Sequence, residues 1–558
     1  MAQGLSRSGT LFKIVTLCTM LLSQNAVSGE VLRLKNGNVR VQQPSSRLSA
    51  FSGSLSVAPA AGRFHIVQFT HDFTEVSRKA LQRAGFKVHG YVPDDAVIVE
   101  ATAPGALQNL QTLNGVQGVT PYTPDLKISD ELMQLDATEA TVHIRIFNES
   151  EAAQIAAALK KAGANHVHTT NGRSLYAKVS PKALGAIGAI EGIEWAEQYT
   201  PLMMHDFQPE AMEPMQANVN ALSGFESGTK VMNFDAAWSK GLTGKGQIVA
   251  MADTGVDTGI LGKLHSDLSN VVKGMGFANG GRWHDTNGHG THVAGSVLGT
   301  GANSQGKVKG GAHSAQMIAQ GLWSDTGGTL AVPPSLSQLF GPAYQGGARV
   351  HTNSWGSVRN AYDNFAIQVD EFMWNNPDML IIFAAGNSGL DTNKDGRIDE
   401  GSLGSPATAK NALSVGASEN YVTQGGRQVT WGQMKPNTPN SVSKWPIEPL
   451  ASDKISNNPN GLAAFSSRGP TRDGRIKPDV VAPGTNILSA RSSQTKPTDV
   501  MWGAFNEKYL YAGGTSMATP LTAGAAAVVR EYLVKVRGMV KPSAALIKGI
   551  LMHTATDL

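Results

Sequence analysis

The stretch Gly513-Gly514-Thr515-Ser516-Met517-Ala518-Thr519-Pro520, running on into Leu521-Thr522-Ala523-Gly524-Ala525-Ala526-Ala527-Val528-Val529, constrains this chain more than any other. A serine hydroxyl is a poor nucleophile. It becomes useful where a tight turn exposes it at the start of a helix, close to a base and to backbone N–H donors. The paired glycines allow such a turn, Pro520 is tolerated in a first helical turn, and the small residues after it suit a helix buried on most sides. Ser516 is therefore a candidate nucleophile, with an ordinary helix N-cap as the alternative reading of Gly-Thr-Ser.

At 558 residues the chain exceeds what one core can organise, and roughly two to four domains are expected. Hydrophobic content of 41%, charged content of 16% and 62 glycines describe a globular, loop-rich protein. A net charge of +4 without a dense Lys/Arg run gives no footing for nucleic-acid binding. Residues 1–29 read as a signal peptide. Arg7 and Lys13 flank the start of an apolar run from Ile14 to Leu22, and Ala26-Val27-Ser28 places small residues for cleavage near Ser28. The run is too short to span a bilayer, so export with no membrane attachment after signal removal is expected. Cys18 is the single cysteine, and the exported chain would have neither thiol chemistry nor disulfides.

Residues 30–62 read as a polar, extended lead-in. Two similar passages follow. His65-Ile66-Val67-Gln68-Phe69, a helix ending Leu81-Gln82-Arg83-Ala84-Gly85 and the close Pro121-Tyr122-Thr123-Pro124 find counterparts about 78 residues later. The counterparts are Val142-His143-Ile144-Arg145-Ile146, Leu159-Lys160-Lys161-Ala162-Gly163 and Gln198-Tyr199-Thr200-Pro201. Two β-α-β-β-α-β units, 63–128 and 140–206, account for the repeat. His65, His71, His89, His143, His166 and His168 within them lack a carboxylate or cysteine cluster and read as strand or surface residues. Residues 207–230, rich in Met, Gln, Asn and Ser, read as a linker that contains the maturation cut, within 202–230.

The chemistry is expected in 231–558. Gly246-Gln247-Ile248-Val249-Ala250-Met251-Ala252 is a buried-strand pattern that delivers Asp253-Thr254-Gly255 at its C-terminal end, where open α/β sheets gather catalytic groups. Asp253 alone could equally cap a turn. Gly288-His289-Gly290-Thr291-His292-Val293-Ala294-Gly295 opens a small-residue helix. A His-x-x-His pair first suggests zinc, but no Glu stands at the zincin position, and His289 as a general base with His292 packed inside fits better. Val350 to Gly356 and Met379 to Gly389 read as apolar strands ending in small polar residues. Asn387 there can donate its amide to an oxyanion or simply make a turn.

In this order, Asp-Thr-Gly, Gly-His-Gly-Thr-His-Val-Ala-Gly, Ala-Ala-Gly-Asn-Ser-Gly and Gly-Thr-Ser-Met-Ala-Thr-Pro resemble the subtilisin-like serine proteases over about residues 235–558. Asn353-Ser354-Trp355-Gly356 and Phe465-Ser466-Ser467-Arg468-Gly469-Pro470 through Lys477-Pro478-Asp479 are further similar to the oxidatively robust alkaline bacterial branch. The resemblance implies an α/β fold, a mostly parallel sheet with helices on both faces, preceded by two tandem ferredoxin-like propeptide units. It implies that Ser516 attacks a peptide carbonyl, His289 moves the proton and Asp253 orients His289. Asn387, with the Ser516 backbone N–H, would hold the oxyanion, and Ser354, Trp355 and Gly356 would line a groove for an extended protein or peptide substrate. It further implies a propeptide that assists folding and inhibits the enzyme, its end at Tyr199-Thr200-Pro201-Leu202 feeding the active site.

Other sequence features bear on metals, insertions and rival readings. Residues 299–307 contain no carboxylate, so the calcium loop many relatives carry there is not expected. Asp391, Asn393, Asp395, the Arg397 carbonyl and Asp399, with Gly396 between, reproduce most of a calcium loop, with a solvated acidic turn as the alternative. Residues 420–460 read as a surface insertion whose Trp431 and Trp445 pack on the core, with the rim of the groove as the alternative place for them. The chain stops at Ala555-Thr556-Asp557-Leu558 where relatives continue, and any C-terminal β-domain would follow. The competing functions are an inactive protease-fold binding protein, which should have lost a triad or oxyanion residue, and a metal-dependent hydrolase using His289 and His292.

Overall fold

The computed structural model describes residues 31–34, 37–40, 62–170, 172–205, 219–436 and 441–558. The expected signal peptide lies outside these residues, as do most of the lead-in and positions 206–218. The chain divides into two compact units, Met1–Tyr199 and Thr200–Leu558.

The first unit contains the repeat. A short hairpin, β1 (Val31–Leu34) with β2 (Gly37–Arg40), stands where an extended lead-in was expected. Leu32 is the residue that holds it, buried in a cluster with Ile66, Val92, Ala96 and Leu126. The first copy runs β3 (Phe64–Phe69), α1 (Glu75–Arg83), β4 (Phe86–Val92), β5 (Ala96–Ala101), the single turn α2 (Ala106–Asn109) and β6 (Val116–Pro121). The second runs β7 (Ala140–Ile146), α3 (Ala152–Lys161), β8 (Asn165–Thr169), β9 (Ser174–Val179), α4 (Leu184–Gly188) and β10 (Ile193–Gln198).

Both sheets have one antiparallel order, β4-β5-β3-β6 in the first copy and β8-β9-β7-β10 in the second. Each has its own apolar core, around Val67, Leu81 and Val99 in one and Ile144, Leu159 and Leu175 in the other. The copies join within the unit through Phe64 stacked on Phe147 at 4.1 Å, Tyr122 Oη donating to the Glu194 carbonyl at 2.7 Å, and Arg63 paired with Glu100 and Glu151. His65, His89, His143, His166 and His168 lie on strands, with His89 bonded to Glu100, and His71 is exposed.

The second unit opens with β11 (Met203–Met204) and is built on a seven-stranded parallel sheet. Its strands in chain order are β12 (Ile248–Asp253), β13 (Val271–Gly276), β14 (Gln316–Gly321), β15 (Val350–Asn353), β17 (Leu380–Ala384), β18 (Leu413–Ser418) and β19 (Val480–Pro483), and the two-residue β16 (Trp355–Gly356) lies outside it. The order is β13-β14-β12-β15-β17-β18-β19. Continuous apolar strands such as Leu380-Ile381-Ile382-Phe383 are what a parallel sheet buried on both faces requires. Helices α5 (His289–Leu298), α6 (Asn364–Asn375), α7 (Thr515–Lys535) and α8 (Ala544–His553) accompany the sheet; α7 packs against β15, β17 and β18.

Residues 219–230, read from composition as linker, pack into this unit. Buried Glu226 accepts from Ser223 and Gly224, and its carbonyl accepts from Leu488. Trp431, Trp445 and Phe465 form a buried edge-to-face cluster, so the insertion contributes to the core. Near the start of β12, the buried carboxylate of Glu531 on α7 accepts from the Thr243 and Gly244 amides at 2.8 and 2.7 Å. Replacing it by Ala orphans two backbone donors, and Glu531→Ala should lower unfolding stability by about 3 kcal/mol. Urea denaturation in a Ser516→Ala background, which prevents self-digestion, measures this.

Candidate active site

Adjacent strands β12, β15 and β17 end together, and their C-terminal ends supply the site. Asp253 is the last residue of β12 and is buried. Its Oδ1 accepts from His289 Nδ1 at 2.6 Å and from the Thr254 amide at 2.7 Å. The bond to Nδ1 fixes the imidazole so that Nε2 is the atom left for proton exchange.

His289 is the first residue of α5, and a neighbouring carboxylate organises that helix start. Asp285 accepts from the Gly288 and Thr291 amides, each at 2.8 Å, from Thr291 Oγ1 at 2.5 Å and from Thr254 Oγ1 at 2.8 Å. Burial pushes its carboxyl above the ordinary range, and those donors oppose the shift. Thr254 Oγ1 in turn accepts from the Gly290 amide at 2.7 Å. Asp285 thus ties the Asp253 turn to the His289 helix as a positioning residue. It does not occupy the acid position of the motif, and an acidic residue just ahead of the His289 helix start is the signal that could have marked it.

His292 lies inside α5, buried, with Nε2 bonded to the Ile487 carbonyl at 2.9 Å. The two histidines therefore serve different partners, and among the described residues no group of three or more His, Cys, Asp or Glu is placed to hold a metal.

Ser516 is the second residue of α7. Pro520 was expected in the first helical turn, but it lies four residues beyond Ser516, inside the helix. Because proline has no N–H, the Ser516 carbonyl loses its i+4 donor. The Ser354 hydroxyl replaces that donor at 2.9 Å. The Ser354 carbonyl also accepts the Ser516 hydroxyl at 3.0 Å, so the two serines are bonded reciprocally. Trp355 lies between β15 and the groove with its indole in the core. It is buried edge-on to Phe383, its Nε1 donating to the Ala252 carbonyl at 2.9 Å. Thus the backbone of Trp355 and Gly356 lines the groove, whereas the indole does not.

Asn387 follows Gly386, whose φ of 111° turns the chain out of β17. Asn387 Oδ1 accepts from the Thr515 amide and hydroxyl at 2.9 and 3.0 Å, which aims Nδ2 outward. Nδ2 donates at 2.5 Å to the carbonyl of His205, and the Ser516 amide donates to the same oxygen at 3.2 Å. Both expected oxyanion donors therefore meet on one carbonyl. The chain bearing it lies in the groove as a strand: Met203 and Met204 pair antiparallel with Gly356 and Trp355, and the His205 amide donates to the Ser354 carbonyl at 3.0 Å. His205 was not anticipated as a site residue.

Asp391, Asn393, Asp395, Arg397 and Asp399 form a self-bonded turn. Asp391 accepts from the Asp395 and Gly396 amides, Asn393 Oδ1 from the Asp395 amide, Asp395 from the Arg397 amide and Asp399 from the Thr392 amide.

A carboxylate-held imidazole and a helix-start serine sharing an oxyanion cradle with an asparagine define the subtilisin-like class of serine protease. Residues 244–558 match the Subtilase family, Peptidase_S8, and the chain belongs to that family. Residues 33–123 match a domain of unknown function, DUF8729. The serine protease/ABC transporter B family protein tagD of Dictyostelium discoideum is 32% identical over 56% of this chain and 20% of its own length. Serine protease AprX of Bacillus subtilis is 30% identical over 52% of this chain and 58% of its own. Subtilisin Savinase of Lederbergia lenta is 30% identical over 53% and 80%. The chain thus spans a fifth of the Dictyostelium relative and just over half of AprX. The crystal structure of fervidolysin from Fervidobacterium pennivorans, at 21% identity and a TM-score of 0.50 over 75% of this chain and 58% of that one, shares the fold.

Burial pushes the His292 and His351 imidazoles down to about 3 from 6.5. Both remain neutral when folded and take a proton when unfolded. Their stability contribution is complete above pH about 6.5 and is lost as pH falls toward 3, at up to about 1.4 kcal/mol per pH unit for each. Urea unfolding of the Ser516→Ala variant should show a loss of about 3 kcal/mol or more between pH 7.5 and pH 5; a flat profile would contradict burial of neutral rings.

Proposed function

We propose that the chain is a secreted serine endopeptidase that works through an acyl-enzyme and is made as a precursor. Residues 1–29 direct its export, and the two repeat units assist folding and hold the enzyme inhibited. The observation that carries this reading is the His205 carbonyl, gripped by the Ser516 amide and Asn387 Nδ2 as a scissile carbonyl would be. No described helix is long and apolar enough to cross a membrane.

In the reaction, the Ser516 hydroxyl gives up its bond to the Ser354 carbonyl and turns its proton over to His289 Nε2. The imidazole accepts the proton as Oγ attacks, and Asp253 stabilises the imidazolium. Negative charge developing on the carbonyl oxygen strengthens the two donor bonds, so they favour the transition state over the ground state. His289 then protonates the departing amine, and water repeats the sequence on the ester. Substrates are extended peptides, since the backbone from Ser354 to Gly356 offers strand pairing.

The mature enzyme should hydrolyse an unstructured protein such as casein and be titrated stoichiometrically by an organophosphate. Asn387→Ala should lower kcat by about 10²–10³ with little change in KM. Full organophosphate resistance of an otherwise folded chain would favour a protease-fold binding protein.

We further propose that the 391–399 turn takes a calcium ion. The supporting observation is the succession of oxygen-bearing side chains, Asp391, Asn393 and Asp395, each held by a backbone amide of the same loop. Calcium should raise the thermal midpoint of Ser516→Ala protein by several degrees over EDTA-treated protein, and Asp391→Asn with Asp395→Asn should abolish the difference. Equal midpoints with and without calcium would leave a solvated acidic turn.

A further inference from the structure

The end of the parallel sheet opposite the active site has a chemistry of its own. Helix α7 starts at the catalytic serine and runs back along the sheet, so its last residue, Lys535, stands about 30 Å from Ser516. The far end of α7 is fixed at the strand starts by Glu531, which accepts from the Thr243 and Gly244 amides just ahead of β12. The chain then reverses in an ordered turn. The Val536 and Arg537 amides donate to the Tyr532 carbonyl at 2.9 and 3.1 Å, Gly538 has a φ of 69°, and the Met539 amide donates to the Leu533 carbonyl at 3.0 Å. The Ala544 amide donates to the Pro377 carbonyl at 2.7 Å, which holds the end of α6 beside the segment that follows the turn.

This fixed turn presents apolar side chains to solvent. Val540 is 86% exposed and Val536 58%, Met539 is exposed between them, and on the last turn of α6 Trp374 is 81% exposed. The fold gains nothing by holding these groups in water. Cations accompany them. Lys535, Arg537 and Lys541 are exposed on the turn, and Lys240 and Lys245 are exposed on the loop that Glu531 holds. Lys535 also bonds Glu531 at 3.5 Å. Residues 236–252 and 532–556 contain no carboxylate, and Glu531 itself is buried.

We propose that this end of the peptidase unit docks on an anionic lipid surface. Trp374, Val536, Met539 and Val540 enter the headgroup layer, where an indole and apolar side chains on a rigid turn are favoured, and the ammonium and guanidinium groups pair with lipid phosphates. The combination selects this occupant. A soluble acidic polymer would use the cations and leave the apolar side chains in water, and a second copy of the chain seated on the same face would set like charges against each other. The contact is peripheral and needs no spanning helix, in contrast to the expectation of no membrane attachment after signal removal. Because the catalytic serine lies at the other end of α7, a docked chain keeps its groove open to soluble substrate.

The test is co-sedimentation of the full chain carrying Ser516→Ala, which prevents self-digestion, with vesicles of phosphatidylcholine alone or of phosphatidylcholine and phosphatidylglycerol in equal parts. Binding to the anionic vesicles should be about tenfold tighter or more, and should fall by a similar factor when sodium chloride is raised from about 0.1 to about 0.5 M. Trp374→Ser with Val540→Asp, and separately Lys245→Gln with Arg537→Gln, should each weaken it about tenfold. All four positions are exposed, so both double variants should melt at the parent's temperature and, with Ser516 restored, cleave a soluble peptide at the parent's rate. Equal binding to both vesicle types, no binding to either, or double variants that bind like the parent overturns the proposal. A dimer in light scattering that Val540→Asp breaks overturns it in favour of a second copy. Polyglutamate binding as tight as vesicle binding and indifferent to Val540→Asp overturns it in favour of an acidic polymer. Inhibition of wild-type peptide cleavage by anionic vesicles overturns the orientation.

Discussion

The reciprocal bond between Ser354 and Ser516 is the interaction on which the rest of the site depends. It arises from a defect in a helix. Pro520 cannot donate to the Ser516 carbonyl, and the vacancy is filled from the end of a neighbouring strand. In return, the Ser354 carbonyl receives the Ser516 hydroxyl and the amide of the groove-bound chain. One residue therefore fixes the helix start, holds the Ser516 hydroxyl and sets the height of the strand that lies in the groove.

Around that bond, the site is assembled from positions made rigid by other demands. Asp253, Asn353 and Ala384 end three adjacent parallel strands, and their register brings the turns that follow to one edge. Asp285 joins the turn after Asp253 to the start of the His289 helix with four hydrogen bonds, and Asn387 is aimed by Thr515. Groups that must not reorganise during reaction are held by neighbours that take no part in it, which is how preorganised electrostatics lowers a barrier.

Much of this was legible in the residues. The repeat could be read because strand, helix and closing Tyr-Thr-Pro landmarks kept nearly one spacing, and each copy has the same strand order. The strand-then-Asp and strand-then-Gly-Asn patterns placed Asp253 and Asn387 at sheet ends because buried parallel strands are apolar throughout and stop where the chain must turn. The hairpin at Val31–Arg40 could not be read this way. Its strands are four residues each, and what holds them is Leu32 reaching residues far along the chain. For the same reason residues 219–230 looked like linker: polar composition does not reveal that Glu226 is buried on its own turn's amides.

The sequence by itself determined the family and the doubled N-terminal plan, because each is written in short contiguous motifs or in a repeated spacing, and it nominated Asp253, His289, Ser516 and Asn387 as the groups to look for. Only the tertiary structure decided that Pro520 leaves a carbonyl for Ser354, that Asp285 spans two loops, that the Trp355 indole faces inward and that His205 occupies the cradle. Those outcomes depend on which atoms meet across gaps of tens to hundreds of residues, and local propensity contains no information about such distances.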